Sequence, residues 1–222
     1  MKITYFLEVT SSWCFWAEPM WAELKSRYAS RATFGWKVAQ MAAADYPVSR
    51  AQCDWFYRRS GMLMRSPFML NSGWFEPELI QDGVIVVPNL VAEAARDFGF
   101  DGDEIRLALS HAGEREGQKT LRLDVAAAIA ATASGGKFTA AQIAAAATSP
   151  AVRARVEASS REFSAHQVTQ RPTFVLEDAI GDKAVFSGLV RLEPLVATID
   201  AMLADTAGYA AHAAHFGGPP PA

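Results

Sequence analysis

From Lys2 to Val9 hydrophobic and polar side chains alternate, with β-branched and aromatic residues at strand length, which predicts a buried first strand. After Ser11-Ser12-Trp13-Cys14 the apolar residues Trp13, Trp16, Met20 and Leu24 fall at helical spacing, with Tyr28 following. Ala32 to Met41 holds Thr33, Phe34, Trp36 and Val38 and reads as a second strand. Because a helix separates the two strands, a parallel βαβ unit is expected. Pro19 leaves a second start for the helix: with proline at the first helical position, Ser11 to Trp16 would be loop.

The segment from Ala42 to Val87 has no clear period. It carries an aromatic and basic stretch, Trp55-Phe56-Tyr57-Arg58-Arg59, and turn residues at Ser66-Pro67, Asn71-Ser72-Gly73 and Glu76-Pro77. Helices are predicted from Asn89 onward and from Asp103 to Glu116, where an acidic first turn suits a helix N-terminus. Twelve of the 22 residues from Ala126 to Ala147 are alanine, which favours helix, and Ser134-Gly135-Gly136 divides that stretch in two. Another helix starts near Ser149-Pro150. Thr173 to Glu177 and Lys183 to Ser187, joined through Gly181, read as a hairpin, and a last helix covers Leu192 to Leu203.

The predicted order is thus βαβ, a run of helices, then ββα, an α/β fold. Residues 1–41 and 167–205 form one unit, 42–166 a mainly helical insertion, and 206–222 a flexible tail whose glycines and prolines point to disorder.

With 222 residues, half of them hydrophobic, the chain has enough apolar surface for a sizeable core. Lys+Arg 21 against Asp+Glu 24 leaves a formal charge of -3, which argues against nucleic acid or an anionic membrane as partner. The longest uncharged stretches are too broken for a bilayer span, and the N-terminus lacks a signal peptide's apolar core, so a cytoplasmic location is expected. Cys14 and Cys53 are too few for a disulfide scaffold and form no Cys-x-x-Cys pair, and no histidine has metal-ligand spacing. Gly135-Gly136 lacks the lysine of a phosphate loop. Neither metal nor nucleotide is expected.

The candidate chemistry sits where the first strand stops. Ser11-Ser12-Trp13-Cys14-Phe15-Trp16-Ala17-Glu18-Pro19 resembles the active-site turn of the DsbA family of thiol-disulfide oxidoreductases, with Ser11 where that family has its nucleophilic cysteine. Gln170-Arg171-Pro172-Thr173-Phe174-Val175 is similar to the family's cis-proline segment, and Gly188 with the helix after it to the family's ending. The resemblance implies a thioredoxin fold with a helical insertion. A serine at the first position of the turn also resembles the kappa-class glutathione transferases and the 2-hydroxychromene-2-carboxylate isomerases, which share the architecture.

Three functions follow as expectations. Disulfide exchange within the turn needs two thiols, and only Cys14 is present. In the first function, a hydroxyl at a helix N-terminus stabilises the thiolate of bound glutathione. Ser11 would hold that sulfur, with Ser12, Trp13, Arg171 and Pro172 around the ligand, Arg171 offering charge for a carboxylate and Cys14 auxiliary. The substrate would be a small electrophile, undergoing isomerisation or transfer. Those families show an acidic residue after the hairpin, where this chain has Val190. In the second function, Cys14 is the attacking group of a monothiol oxidoreductase and an external thiol resolves the product. The third is a peptide-binding protein without catalysis. The architecture is also compatible with a homodimer. Beside these stand simpler roles: Ser11 as N-cap, Cys14 as a small buried hydrophobe, Trp13, Trp16 and Trp21 as core, and Trp55, Phe56 and Tyr57 as core or else as the lining of a pocket between the insertion and the thioredoxin-like part.

Overall fold

In the computed structural model, which describes residues 1–66 and 69–218, strand β1 (Lys2–Leu7), helix α1 (Ser12–Tyr28) and strand β2 (Thr33–Val38) form the expected βαβ unit. Six helices follow: α2 (Arg50–Leu63), α3 (Val87–Ala94), α4 (Glu104–Glu114), α5 (Leu123–Ala133), α6 (Ala140–Ala147) and α7 (Pro150–Ala165). Strands β3 (Thr173–Glu177) and β4 (Lys183–Ser187) and helix α8 (Leu192–Phe216) close the chain. The sheet order is β2-β1-β3-β4, with β1 parallel to β2, antiparallel to β3, and β3 antiparallel to β4.

The central strand is covered on both faces, which is why its sequence is nearly all apolar. Ile3, Tyr5 and Leu7 join Phe174 and Leu176 in a core shared with Trp21 and Leu24 of α1 and with Leu195 and Ile199 of α8. Tyr5 stacks on Phe174 with ring centroids 4.7 Å apart and meets Trp21 at 5.2 Å. Such pairs contribute about 0.5–1.5 kcal/mol each beyond the area they bury. Phe6 and Val175 belong to the other side, where Phe163 of α7 packs on Phe6. The main core continues into Val91, Ala126, Ile143 and Val156, so the inserted helices share it with the sheet. Alanine is what lets α5 and α6 approach this closely: Ala126, Ala127 and Ala130 are buried with Ile143 and Ala147.

Helix α1 starts at Ser12 and runs through Pro19, as the apolar spacing from Trp13 predicts and against the alternative start at Pro19; the buried face of Cys14, Ala17, Met20, Trp21 and Leu24 outweighs the hydrogen bond that proline removes, since tertiary packing supplies most helical stability. Two features differ from the sequence reading. Arg50–Leu63 is a helix whose buried residues Cys53, Tyr57, Ser60 and Gly61 keep the 3.6-residue period. Two of the four are not hydrophobic, and exposed Trp55, Met62 and Leu63 blur the pattern further. The segment from residue 206, read as a flexible tail, is helical as far as Phe216, carried by alanine's helix propensity. Of the end expected to be disordered, residues 219–222 lie outside the described ones.

Candidate active site

A cleft opens at the N-terminus of α1. The turn Thr10–Trp13 forms its floor, the chain after β2 (Met41 and Asp45 to Pro47) one side, and residues 169–171 before β3 another. Cys53, Phe56, Tyr57 and Arg59 of α2, with Trp74, close it. Every wall thus comes from a different part of the sequence.

Ser11 is the N-cap of α1, with extended backbone and its Oγ accepting from the Cys14 N–H at 3.4 Å. Its own N–H donates to the Glu8 carbonyl at 3.1 Å, and its carbonyl accepts the first helical bond, from Phe15 N–H at 2.9 Å. The cap contributes about 0.5–2 kcal/mol. The same hydroxyl lies within hydrogen-bonding reach of the Cys14 sulfur and can turn from it into the cleft, beside the partial positive charge of the helix end. The two simpler and functional readings of Ser11 are therefore compatible in one geometry.

Cys14 does not line the cleft. It faces the core, 3% exposed, where its sulfur accepts a long hydrogen bond from the Glu8 N–H at 3.5 Å. Burial pushes the thiol up to about 12, against the smaller opposing effects of the Glu8 backbone and Ser11 hydrogen bonds. Such a group is a poor nucleophile at neutral pH, so this geometry does not fit the expectation that Cys14 attacks. Cys53 reaches the α2 wall of the cleft, and its thiol too is pushed up to about 12 by burial. Both cysteines are free.

The Arg171–Pro172 peptide bond is cis. Arg171 was expected to offer its charge to a ligand, but most of its guanidinium is engaged internally. Nε donates to the Ala39 carbonyl at 2.6 Å, Nη1 to Thr169 at 3.0 Å and Nη2 to the Gln40 carbonyl, while the group lies 4.7 Å above the Phe163 ring. The arginine thereby ties the cis-proline segment to the end of β2. Sheet pairing begins only at Thr173, and the Arg171 main chain makes no backbone hydrogen bond among the described residues. Ser12 and Trp13 are half-buried at the cleft floor. Val190 packs against the core; the acid on the cleft wall is Asp45, 3.8 Å from Arg171 Nη1. Arg59 stands at the rim with its guanidinium 5.0 Å from the Trp55 ring centre and 4.9 Å from that of Phe56. His111, His166, His212 and His215 are not part of the cleft, and among the described residues no cluster of His, Cys, Asp or Glu could hold a metal.

Two buried acids beside the cleft escaped the sequence reading. Glu8 lies under the turn, fully buried. Glu114 lies behind the α2 wall beside Tyr57, and neither carboxyl oxygen has a hydrogen-bond partner among the described residues. Burial raises the Glu114 carboxyl to about 8, Tyr57 and Arg115 opposing weakly. An acid whose folded pKa lies above its unfolded value favours folding fully below the unfolded pKa and loses that contribution as pH rises through the folded one. Stability should therefore fall between the ordinary carboxylate range and about 8, with about one proton taken up on folding. Urea titrations across that window should show a shallower fall for Glu114→Gln; an unchanged slope would place the Glu114 charge elsewhere.

No protein-family model matches the sequence, and no curated protein matches it. Solved structures do. The cytosolic disulfide reductase DsbM from Pseudomonas aeruginosa superposes with a TM-score of 0.70 at 21% identity, over 91% of this chain and 98% of that one. The chain has the DsbA-like thioredoxin fold. A 2-hydroxychromene-2-carboxylate isomerase matches with a TM-score of 0.62 at 16% identity, over 94% and 99% of the two chains. Pseudomonas aeruginosa DsbA matches with a TM-score of 0.58 at 12% identity, over 94% and 85%. DsbM has also been solved with GSH. Within the DsbA-like fold, the turn at the start of α1 and the cis-proline segment are adjacent because both end strands that neighbour each other in the sheet, β1 and β3. No helix among the described residues is long and apolar enough to cross a membrane.

Proposed function

We propose that this protein is an enzyme that binds a small thiol, glutathione being the first candidate, and uses its thiolate to isomerise or conjugate a small electrophile, in the cytoplasm. Ser11 carries the proposal: a capping hydroxyl that lines an open cleft at the end of a 17-residue helix, its neighbouring thiol, Cys14, turned inward and held protonated by burial. The thiol enters with its sulfur at Ser11 and the first N–H groups of α1. A bound peptide backbone pairs with the free main chain of Arg171 in the manner of an added strand. The thiolate is then favoured over the thiol by a charge-assisted hydrogen bond and the helix dipole. The electrophile occupies the aromatic wall of Phe56, Tyr57 and Trp74, and its substitution or rearrangement proceeds through a carbon–sulfur bond to the borrowed nucleophile. The DsbM structure with GSH supports a thiol peptide as ligand of this fold.

Calorimetric titration with reduced glutathione tests the reading, with S-methylglutathione as the comparison. Micromolar binding that weakens by about tenfold or more on methylation is expected, a loss of roughly 1.4 kcal/mol. Equal affinity for both would mean that the sulfur is not what the cleft recognises.

A further inference from the structure

The carboxyl of Glu8 is fully buried, three residues before Ser11, and a line of hydrogen bonds leads from it to the cleft. Thr10 Oγ1 donates to Glu8 Oε1 at 3.2 Å, and the Tyr46 hydroxyl lies 3.1 Å from Thr10 Oγ1. With the Thr10 proton committed to the carboxylate, the Tyr46 hydroxyl is the donor to Thr10, so both protons point at Glu8. Thr10 and Tyr46 are cleft-lining residues, and Ser11 lies next to Thr10. The second carboxyl oxygen accepts the Met41 N–H at 3.0 Å. We infer that Glu8 is the proton store of the cleft, filled and emptied through Thr10 and Tyr46 when a bound thiol ionises at Ser11.

The inference rests on the thiol reading above and assigns the fate of the proton that reading releases. When the S–H bond breaks, the electron pair stays on sulfur, where the Ser11 hydroxyl donates to it. The proton passes to the Tyr46 oxygen as the Tyr46 proton moves to Thr10 and the Thr10 proton to Glu8. The carboxylate becomes a carboxylic acid, and both hydroxyls are restored. When the thiolate adds to the electrophile, a carbon–sulfur bond forms and a π pair moves onto the neighbouring atom. The same line run backwards delivers the proton to that atom, so no external acid, base or oxidant is consumed.

The groups around Glu8 suit this task. Burial raises its pKa above that of an ordinary carboxylate, making it a stronger acceptor. Asn89 of α3, the Met41 N–H, the Arg171 guanidinium and Tyr46 oppose the rise and keep the charged form accessible. Cys14 is the other titratable group against it, receiving the Glu8 N–H at its sulfur. Asn89 is fixed by its own Oδ1, which accepts the Val9 N–H at 3.1 Å. Arg171, already described as tying the cis-proline segment to β2, thus also places a positive charge near the acid.

Glu8→Gln keeps the shape and removes the proton acceptor, and Tyr46→Phe breaks the line while leaving Glu8 in place. The test measures turnover against pH on an addition electrophile, an α,β-unsaturated ketone whose carbon takes up the returned proton, with glutathione binding followed by calorimetry and the bound thiolate by its ultraviolet absorbance. Both variants are expected to bind glutathione within a few-fold of wild type and to lower kcat by about 10²-fold with loss of the acid limb of the pH profile. A merely structural Glu8 would cost stability without moving the pH profile. Glutathione binding with unchanged kcat and an unchanged pH profile in both variants would overturn the relay and leave the thiol site standing. No glutathione binding by wild type would overturn both. Should Glu8→Gln fail to fold, Tyr46→Phe decides alone, since it removes one hydroxyl at a residue only 6% exposed and keeps the ring.

Discussion

Replacing Ser11 by alanine is expected to lower kcat/KM for thiol-dependent turnover by about 10²–10³-fold, the usual cost of deleting one donor aimed at developing negative charge. The hydroxyl accepts a hydrogen bond from the Cys14 N–H and keeps a proton that a ligand thiolate can draw from the Cys14 sulfur; alanine removes both. Losing the cap should cost about 0.5–2 kcal/mol of stability, which a well-packed 17-residue helix tolerates. The two effects separate experimentally. Denaturant titration reads the cap, while the pKa of the bound thiol reads the donor and should rise towards its value in free solution. Alanine at Ser11 with normal turnover and normal thiol pKa would reduce Ser11 to a cap.

The largest expected effect on stability comes from Arg106. Its side chain is 2% exposed and holds two carboxylates at once: Nη1 and Nη2 donate to Glu18 at 2.5 and 3.1 Å, and Nε and Nη2 to Asp103 at 2.9 and 2.6 Å. Lys25 and the Trp21 indole add donors to Asp103, and the Tyr5 hydroxyl donates to Glu18 at 3.3 Å. The network clamps α1, which carries the cleft floor, to α4. Arg106→Met strands Glu18 and Asp103 together in a poorly solvated site, and a loss of about 3–5 kcal/mol is expected. Adding Glu18→Gln to that variant should restore part of it, as partners in one network are non-additive. A loss below about 1 kcal/mol would mean that solvent screens the group as it does a surface pair.

The pH dependence of this network has a definite sign. For Asp103, burial alone would raise the pKa, but Arg106 and Lys25 together bring it below the ordinary value. Its contribution is present above the unfolded pKa and is lost as pH falls through the lower folded one. Glu18 goes the other way: burial raises it despite Arg106, so it favours folding at low pH and loses that contribution as pH rises. Without Arg106 both groups should titrate higher, and the variant should lose stability with rising pH over the range in which they ionise.

The strands of the sheet are legible from alternation and from the turn residues around Gly181, and their bounds fall within three residues of those observed. So is the N-cap at Ser11, because capping depends on four consecutive residues. The cleft is not legible in the same way. Helix α2 supplies one wall, yet its buried face includes Ser60 and Gly61 and its exposed face Trp55 and Met62, so hydropathy does not mark it. Arg171 reads as a ligand cation until Ala39 and Gln40, more than a hundred residues earlier, are found against it. Glu8 reads as one polar position in a strand, and nothing near it in sequence announces Tyr46, Met41 or Asn89.

What the chain determines by itself is therefore local: helix and strand periods, caps, the position of Pro172 before a strand, and a single hydroxyl where related turns have a thiol. These follow from short-range sterics and hydrogen bonding, which a window of a few residues contains. Tertiary structure alone decides which charges are paired, which acids are buried, and whether Cys14 faces the cleft or the core. Burial and electrostatic neighbours are set by segments distant in sequence, Glu18 and Arg106 being 88 residues apart, and a desolvated carboxyl or thiol owes its pKa to those neighbours more than to its own residue type.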